Sequence, residues 1–358
     1  MRSGLVESGE LTEFRIIRPR HPEKALYQAG EAYIARVIER TGPRTALVSL
    51  GLEQAILDPA PADCKAGRLV SVTMSRSAIP EPGRWKPAKV KLAAEPAATQ
   101  AEPCWHFSNE PWALFLHRLS PHISAIVCAD ASMAVDVARE MGSAAPPVHV
   151  DSRRIDDADF DTLIETATTG QVTLEQGVQL SIERTRAMTM IDVDGFGDPA
   201  ALNMIAARHI PALLRMFDIG GPVAIDFIAT ANRNDRIAIA DAFDETATGL
   251  GQHERTAVNG FGLMQVVRPR TGPSIPELLC ATTPGRLSTE SRAIALLRAA
   301  GRSQGIGPRR LVAPPAIIDL IRQWPWETAA LRHALGAEIE LVSDTSAIGY
   351  GHVHVAQS

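Results

Sequence analysis

Met188-Thr189-Met190-Ile191-Asp192-Val193-Asp194-Gly195 is an apolar stretch that turns acidic at its end. Side chains alternate faces along a strand, so its two aspartates, two positions apart, project to one side. A second apolar stretch, Pro222-Val223-Ala224-Ile225-Asp226-Phe227-Ile228, carries a single aspartate. Between them Leu202, Ile205, Ala206, Ile210, Leu213, Leu214 and Phe217 recur at helical spacing. Gly220-Gly221 then reads as the helix stop. Strand, helix, strand is a crossover unit, which sets the two strands side by side or nearly so.

An ionised carboxylate flanked by buried strand residues is costly unless something compensates it. Converging carboxylates also raise one another's pKa. A divalent cation removes both penalties. Mg²⁺ binds through one or two carboxylates and keeps waters and phosphate oxygens in its other positions. The same ion can polarise a phosphodiester, activate a water and stabilise a leaving oxygen. A single strand-end aspartate more often caps a turn or pairs with an arginine. Three in this order across one crossover favour a metal.

Outward from this centre, residues 105–280 read as an α/β body. Trp112, Phe115, Leu116 and Leu119 follow helical spacing behind Pro111. Ser124–Cys128 and Pro147–Val150 read as strands around a helix near Ala131–Met141, and this β-α-β rhythm sets helices over a mixed sheet. Val178, Leu180 and Ile182 alternate with polar residues, and Glu183-Arg184-Thr185 turns the chain into Ala187–Asp194 as a hairpin.

Upstream, residues 1–30 are a short, partly basic segment with Arg15, Arg18 and Arg20. Residues 31–75 carry short strands closed by Gly and Pro turns, the pattern of a small barrel or another β-sheet. Residues 76–104 hold Pro80, Pro82, Pro87, Pro96 and Pro103 and read as a linker or long loop. Arg84, Lys86, Lys89 and Lys91 are interleaved there with Trp85, which suits phosphate contact and base stacking, or simply a solvated loop. Residues 281–358 look like a small separate domain. Its His352-Val353-His354 has metal-friendly spacing but reads better as a terminal strand exposing polar residues.

The chain of 358 residues is 45% hydrophobic and 22% charged, ordinary for a globular protein. A net charge of −5 gives no basic excess, so any nucleic-acid contact rests on local patches. Four scattered cysteines without a C-x-x-C pair argue against a disulfide framework or a four-thiolate zinc site. No run of about 18 apolar residues suggests a membrane span. A cytoplasmic location is the expectation, with no membrane partner.

Several motifs resemble the ribonuclease E/G family. Ile191-Asp192-Val193-Asp194 is similar to its I-D-[VI]-N element, and Ala201-Leu202-Asn203 to its A-x-N step. Asp218-Ile219-Gly220-Gly221-Pro222-Val223-Ala224-Ile225-Asp226-Phe227-Ile228 resembles D-L-G-G-x-[IV]-x-I-D-F-[IV]. Gly260–Arg270 is similar to R-F-G-L-x-E-x-[ST]-R-x-R, and Thr271–Ile275 to L-x-P-S-L. The resemblance implies an α/β (α+β) multidomain architecture. Its parts are an OB-fold RNA-binding barrel over 31–75, a mixed α/β catalytic body (RNase H-like and DNase I-like) and a small C-terminal α/β domain.

It also implies that Asp192 and Asp226 bind metal and that Asp194 stands where the family has a water-orienting asparagine. The implied reaction is Mg²⁺-dependent hydrolysis of internal phosphodiesters in single-stranded RNA, with Mn²⁺ as an alternative ion. Arg233 and Arg236 resemble basic family positions, and they join Arg84, Lys86 and Arg268 as candidate RNA contacts.

Departures from the pattern are equally specific. The family's Gly- and Arg-rich loop is reduced to Gly195-Phe196-Gly197-Asp198-Pro199, and its second carboxylate after I-D-F-[IV] is Ala229. Only Cys280 stands near the zinc-linking C-P-x-C, so zinc is not expected and the oligomeric state is left open. The insert that senses a 5′ end is not evident. Leu47 and Ile56 occupy barrel positions where the family places stacking aromatics. Two further readings follow: a catalytically inactive RNA-binding relative, and another metal-dependent phosphoesterase.

Overall fold

The computed structural model describes residues 2–8, 10–16, 29–51, 53–81, 84–93, 104–106, 115–117, 119–129, 131–142, 145–151, 157–280 and 283–355. Arg18, Arg20, Pro82, Pro96, Pro103, Pro111 and Trp112 lie outside them. Two compact units divide the chain, Met1–Glu277 and Leu278–Ser358.

The first unit opens with an antiparallel hairpin of β1 (Arg2–Glu7) and β2 (Glu10–Ile16), whose Phe14 is fully buried. Next come β3 (Ala32–Arg40), β4 (Ala46–Ser49), β5 (Gln54–Leu57) and β6 (Leu69–Arg76). After them β7 (Ile79–Glu81) pairs with β8 (Arg84–Lys86), followed by β9 (Ala88–Leu92). Strands pair in the order β3-β4-β5-β9-β6, and β6 returns to β3, which closes a five-stranded barrel. Period-two alternation fills it. Val70, Val72 and Met74 of β6 are buried beside Val48, Leu57 and Val90, with polar residues between them facing out.

This arrangement corrects the reading of residues 76–104 as a linker. Lys89 and Lys91 are the outward positions of a barrel strand whose Ala88 and Val90 point inward. Pro80 sits in a two-stranded hairpin, where a missing N–H is tolerated, and Pro87 falls between strands. A further strand, β10 (Cys104–His106), adds to β3.

In the body, β11 (Ile126–Cys128), α1 (Ala131–Met141) and β12 (Val148–Val150) form the expected β-α-β unit. It makes its own two-stranded parallel sheet, with Ile126, Cys128, Val137 and Met141 as a small core, and does not extend the main sheet. Helix α2 (Asp157–Thr169) leads into β13 (Gln171–Thr173). Then follow β14 (Gln179–Arg184), β15 (Thr189–Asp194), α3 (Pro199–Met216), β16 (Gly221–Asp226), α4 (Arg233–Thr246), β17 (Glu254–Arg255) and β18 (Leu263–Arg268). The main sheet runs β13-β14-β15-β16-β18-β17. Its one parallel pair, β15–β16, is joined through α3. Ile191, Val193, Val223, Ile225, Met264 and Val266 form its buried face, and α3 buries Leu202, Ile205, Ala206, Ile210 and Leu214.

Helix α3 ends earlier than the glycine pair suggests. Asp218, with φ 51°, takes the left-handed position, and the N–H groups of Asp218 and Ile219 donate to Arg215 O and Leu214 O at 3.2 and 2.9 Å. That is a Schellman stop made without glycine. Gly220 answers a different demand, since a Cβ there would lie 2.6 Å from Pro269 O.

Helix α5 (Ile275–Cys280) carries the chain into the second unit, where α6 (Thr289–Arg302), β19 (Arg309–Ala313), α7 (Pro315–Arg322), α8 (Pro325–Leu335), β20 (Ile339–Ser343) and β21 (His352–Val355) follow. β19 lies between a parallel β20 and an antiparallel β21, over a core of Leu296, Leu311, Ile317, Ile318 and Ile321. His352 and His354 are exposed on one strand face, with ring centroids 4.6 Å apart. Among the described residues no helix is long and apolar enough to cross a membrane.

A barrel role for β9 predicts that Val90→Asp, which buries an unpaired charge, costs at least about 3 kcal/mol in a denaturant melt. A linker valine would tolerate the change with little effect.

Candidate active site

The β15–β16 register sets Thr189 opposite Val223, Ile191 opposite Ile225 and Asp192 opposite Asp226. Register partners share a face of the sheet, and neighbouring strands lie about 4.8 Å apart. Asp192 and Asp226 therefore project together from the carboxyl ends of the only parallel pair in the sheet. Asp194, two residues on, joins them on the same side. All three are exposed, while their neighbours Ile191, Val193 and Ile225 are buried on the other face. Burial thus taxes these acids less than their apolar surroundings in the sequence suggested.

Their proximity is felt electrostatically. The Asp192 carboxyl is held above its ordinary value, first by partial desolvation, then by the negative charges of Asp226, Asp194 and Glu183. The Val193 backbone N–H opposes this, and no basic side chain contributes. Asp194 Oδ1 accepts from Gly195 N at 2.7 Å. Among the described residues no group of three or more His, Cys, Asp or Glu is gathered tightly enough to hold a metal alone. The donor set offered is a pair of facing carboxylates, which suits a hard ion that fills its remaining positions with water and phosphate.

Two devices fix the backbone around Asp226. Asn203 of α3 is fully buried, its Nδ2 donates to Ile228 O at 2.7 Å, and its Oδ1 accepts from Ile228 N at 3.0 Å. This two-point clamp pins the chain two residues beyond Asp226. Sequence reasoning passed over its role; the available signal was a lone amide inside an apolar helical stripe. On the other flank, Phe227 N donates to Gly262 O at 3.1 Å. Gly262 has φ +91°, and a Cβ there would stand 2.4 Å from Phe227 O, so no other residue fits. The loop after Asp194 ends in Asp198, whose carboxylate caps α3 by accepting from Ala201 N at 3.1 Å, with Pro199 in the first turn.

The basic candidates scatter. Arg268 turns inward: its guanidinium donates to Leu214 O, Ile219 O and Leu250 O at 2.8, 2.8 and 3.1 Å, and burial lowers its pKa. It closes the end of α3 and is removed from the RNA contacts. The warning was legible, because Arg268 shares the period-two face of Met264 and Val266. Arg236 donates to Thr230 O and Ala231 O at 3.0 and 3.2 Å, holding the loop after β16, whereas Arg233 is exposed at the start of α4.

Arg84 pairs with Glu81 at 2.9 Å, and Lys86 is exposed on the same hairpin. That hairpin is tied through Pro80 O to Arg184 at 3.0 Å. Arg184 faces Thr189, at the opposite end of β15 from Asp192. Ser77 N likewise donates to Thr271 O, beyond the Arg268 end of β18. The fold does not bring Arg84 or Lys86 to the acids.

Residues 112–271 match the sequence model of the Ribonuclease E/G family. The likeness to the ribonuclease E/G family thus lies in this segment of the chain. Ribonuclease G of Escherichia coli strain K12 is 31% identical over 138 residues, covering 35% of this chain and 28% of that protein. Ribonuclease E of Haemophilus influenzae is 32% identical over 128 residues, and the chloroplastic ribonuclease E/G-like protein of Arabidopsis thaliana is 30% identical over 141. Each of these two is covered over 14% of its length. The ribonuclease E/G segment holds both metal-ligand candidates, the Asn203 clamp and the Gly262 turn. The barrel positions Leu47 and Ile56 face each other across β4 and β5, an aliphatic pair where the family resemblance implied aromatics.

Asn203→Ala leaves the N–H and C=O of Ile228 without their partner and is predicted to cost about 2–4 kcal/mol in a urea melt. For Asp192 the sign is opposite. Its raised pKa means that the folded chain binds more protons than the unfolded one above the ordinary carboxylate value, so ionisation of Asp192 weakens the fold as pH rises through that window. In metal-free buffer Asp192→Asn should melt slightly higher than the parent at neutral pH. The gain should stay within about 0.5 kcal/mol at this exposed position, and it should vanish as the pH falls into the carboxylate range.

Proposed function

We propose that this chain is a divalent-metal-dependent endoribonuclease that hydrolyses phosphodiesters in single-stranded RNA. The observation that carries the reading is the register of Asp192 against Asp226 on the exposed face of the sheet, with the Asp192 carboxyl raised by partial desolvation and then by its acidic neighbours. Asp192 and Asp226 would hold Mg²⁺, or Mn²⁺ in its place. Such an ion supplies the positive charge that a phosphodiester needs as negative charge builds up in hydrolysis.

The chain's own residues do the rest. Asp194 has one oxygen engaged by Gly195 N, leaving the other to orient or accept a proton from the attacking water. Arg233, exposed at the start of α4 seven residues beyond Asp226, is the basic candidate left to receive phosphate near this end of the sheet. We read the five-stranded barrel as an OB-type RNA-binding module, with Arg84 and Lys86 serving RNA on its side of the molecule, away from the acids. The body would correspond to the RNase H-like and DNase I-like parts of the family's catalytic domain.

A second reading, an RNA-binding member without catalysis, is favoured by three features. The loop after Asp194 has no basic residue, Ala229 stands where a carboxylate is expected, and Arg268 is turned inward.

Purified full-length chain incubated with a labelled A/U-rich oligonucleotide separates the two. The enzymatic reading predicts products ending in 5′-phosphate and 3′-hydroxyl that appear with magnesium and not with EDTA. Asp192→Asn and Asp226→Asn should each lower the rate at least about a hundredfold, given a metal contribution of several kcal/mol and about 1.4 kcal/mol per tenfold. RNA binding without cleavage in magnesium or manganese selects the second reading, and undiminished turnover in either variant removes the metal assignment.

A further inference from the structure

Two aromatic rings stand in solvent at the acidic end of the sheet. Phe196 is wholly exposed, and Phe261 is 86% exposed. Phe196 follows Asp194 by two residues at the exit of β15. Phe261 precedes Leu263 by two, and Leu263 is the register partner of Asp226. With the strands ordered β15-β16-β18, the rings leave the sheet from the strands on either side of Asp226. β15 and β18 are two strand spacings apart, roughly 10 Å.

Phe261 is displayed by a braced turn. Asn259 Oδ1 accepts from both Phe261 N at 2.9 Å and Leu263 N at 3.1 Å, and Asn259 N and Gly262 N close the turn through Leu263 O and Asn259 O. The turn is hooked to β16 by Phe227 N donating to Gly262 O. Phe196 stands between Gly195 and Gly197 in a loop tied at one end by Asp194 Oδ1 and at the other by the Asp198 cap of α3. An apolar ring kept fully in water on a turn built to present it contributes nothing to the core.

Charge says what such rings can hold. Asp192, Asp194 and Asp226 repel a phosphate backbone until a cation covers them, the Gly195–Pro199 loop has no basic residue, and Arg268 faces inward. With Arg233 the one basic candidate left near this end, attraction for RNA there must come largely from uncharged contacts. Base stacking on an aromatic face is such a contact, available to any unpaired base and tolerant of sequence.

We infer that Phe196 and Phe261 form a pair of stacking platforms that grip the unpaired bases on either side of the phosphate presented to Asp192 and Asp226. This rests on the proposed ribonuclease reading for what lies between the rings. It adds the part that selects single strands, because a base stacked within a duplex cannot offer its face to either ring.

The test is the affinity of the full-length chain for a short labelled A/U-rich RNA in EDTA, where binding is read without cleavage. Phe196→Ala and Phe261→Ala should each weaken binding by about 5- to 100-fold, with melting temperature unchanged. Phe261→Leu should weaken it nearly as much, and Phe261→Trp should restore it. An RNA with abasic sites should bind the parent weakly and lose little further affinity with the double alanine variant. The inference is overturned if the parent does not bind RNA, if the double variant binds as tightly as the parent, or if leucine fully replaces phenylalanine. Cleavage assays in magnesium keep the two ideas separate. Phe-dependent affinity without cleavage leaves the platforms standing and removes the enzyme, whereas cleavage with Phe-independent affinity does the reverse.

Discussion

One parallel strand pairing governs this molecule. By setting Asp192 against Asp226, the β15–β16 register gathers negative charge that the isolated strands would keep apart. A slip of one residue would turn one acid into the apolar face and the other into water. That face holds the register, since Ile191, Val193, Val223 and Ile225 cannot be exposed without losing the core. The hydrophobic pattern that folds the sheet is thus the same pattern that assembles the site.

The surroundings serve that pairing. Crossover helix α3 links the two strands and also supplies Asn203, which anchors the backbone after Asp226 from inside the core. Arg268, on the strand beside β16, satisfies carbonyls at the end of the same helix. Arg215, near that end, pairs with Glu7 and Glu13 of the N-terminal hairpin at 2.8 and 3.2 Å. Rigid packing on one face leaves the other open for a charged ligand, with the acids, the braced Phe261 turn and the Phe196 loop at its rim.

Much of this was legible in the sequence, for a physical reason. Where one face of a strand or helix is buried, period two or 3.6 shows through, so the β14–β15 hairpin and the crossover unit could be read directly. Other features were masked. Prolines and lysines hid β9, because its inward positions are only Ala88 and Val90. The stop of α3 was misplaced, since Asp218 adopts a conformation that glycine usually supplies, while Gly220 is required by a backbone passing close by. The basic candidates fared worst. An arginine's charge is visible in sequence, but whether its donors meet phosphate or spare carbonyls depends on tertiary neighbours, as Arg268 and Arg236 show.

The central claim, that Asp192 and Asp226 share one divalent ion, is tested most directly by titrating Mn²⁺ into the full-length chain and following free manganese by electron paramagnetic resonance. The account predicts a saturable site that disappears when either aspartate becomes asparagine. Identical binding curves for the parent and for a protein lacking both carboxylates would contradict it.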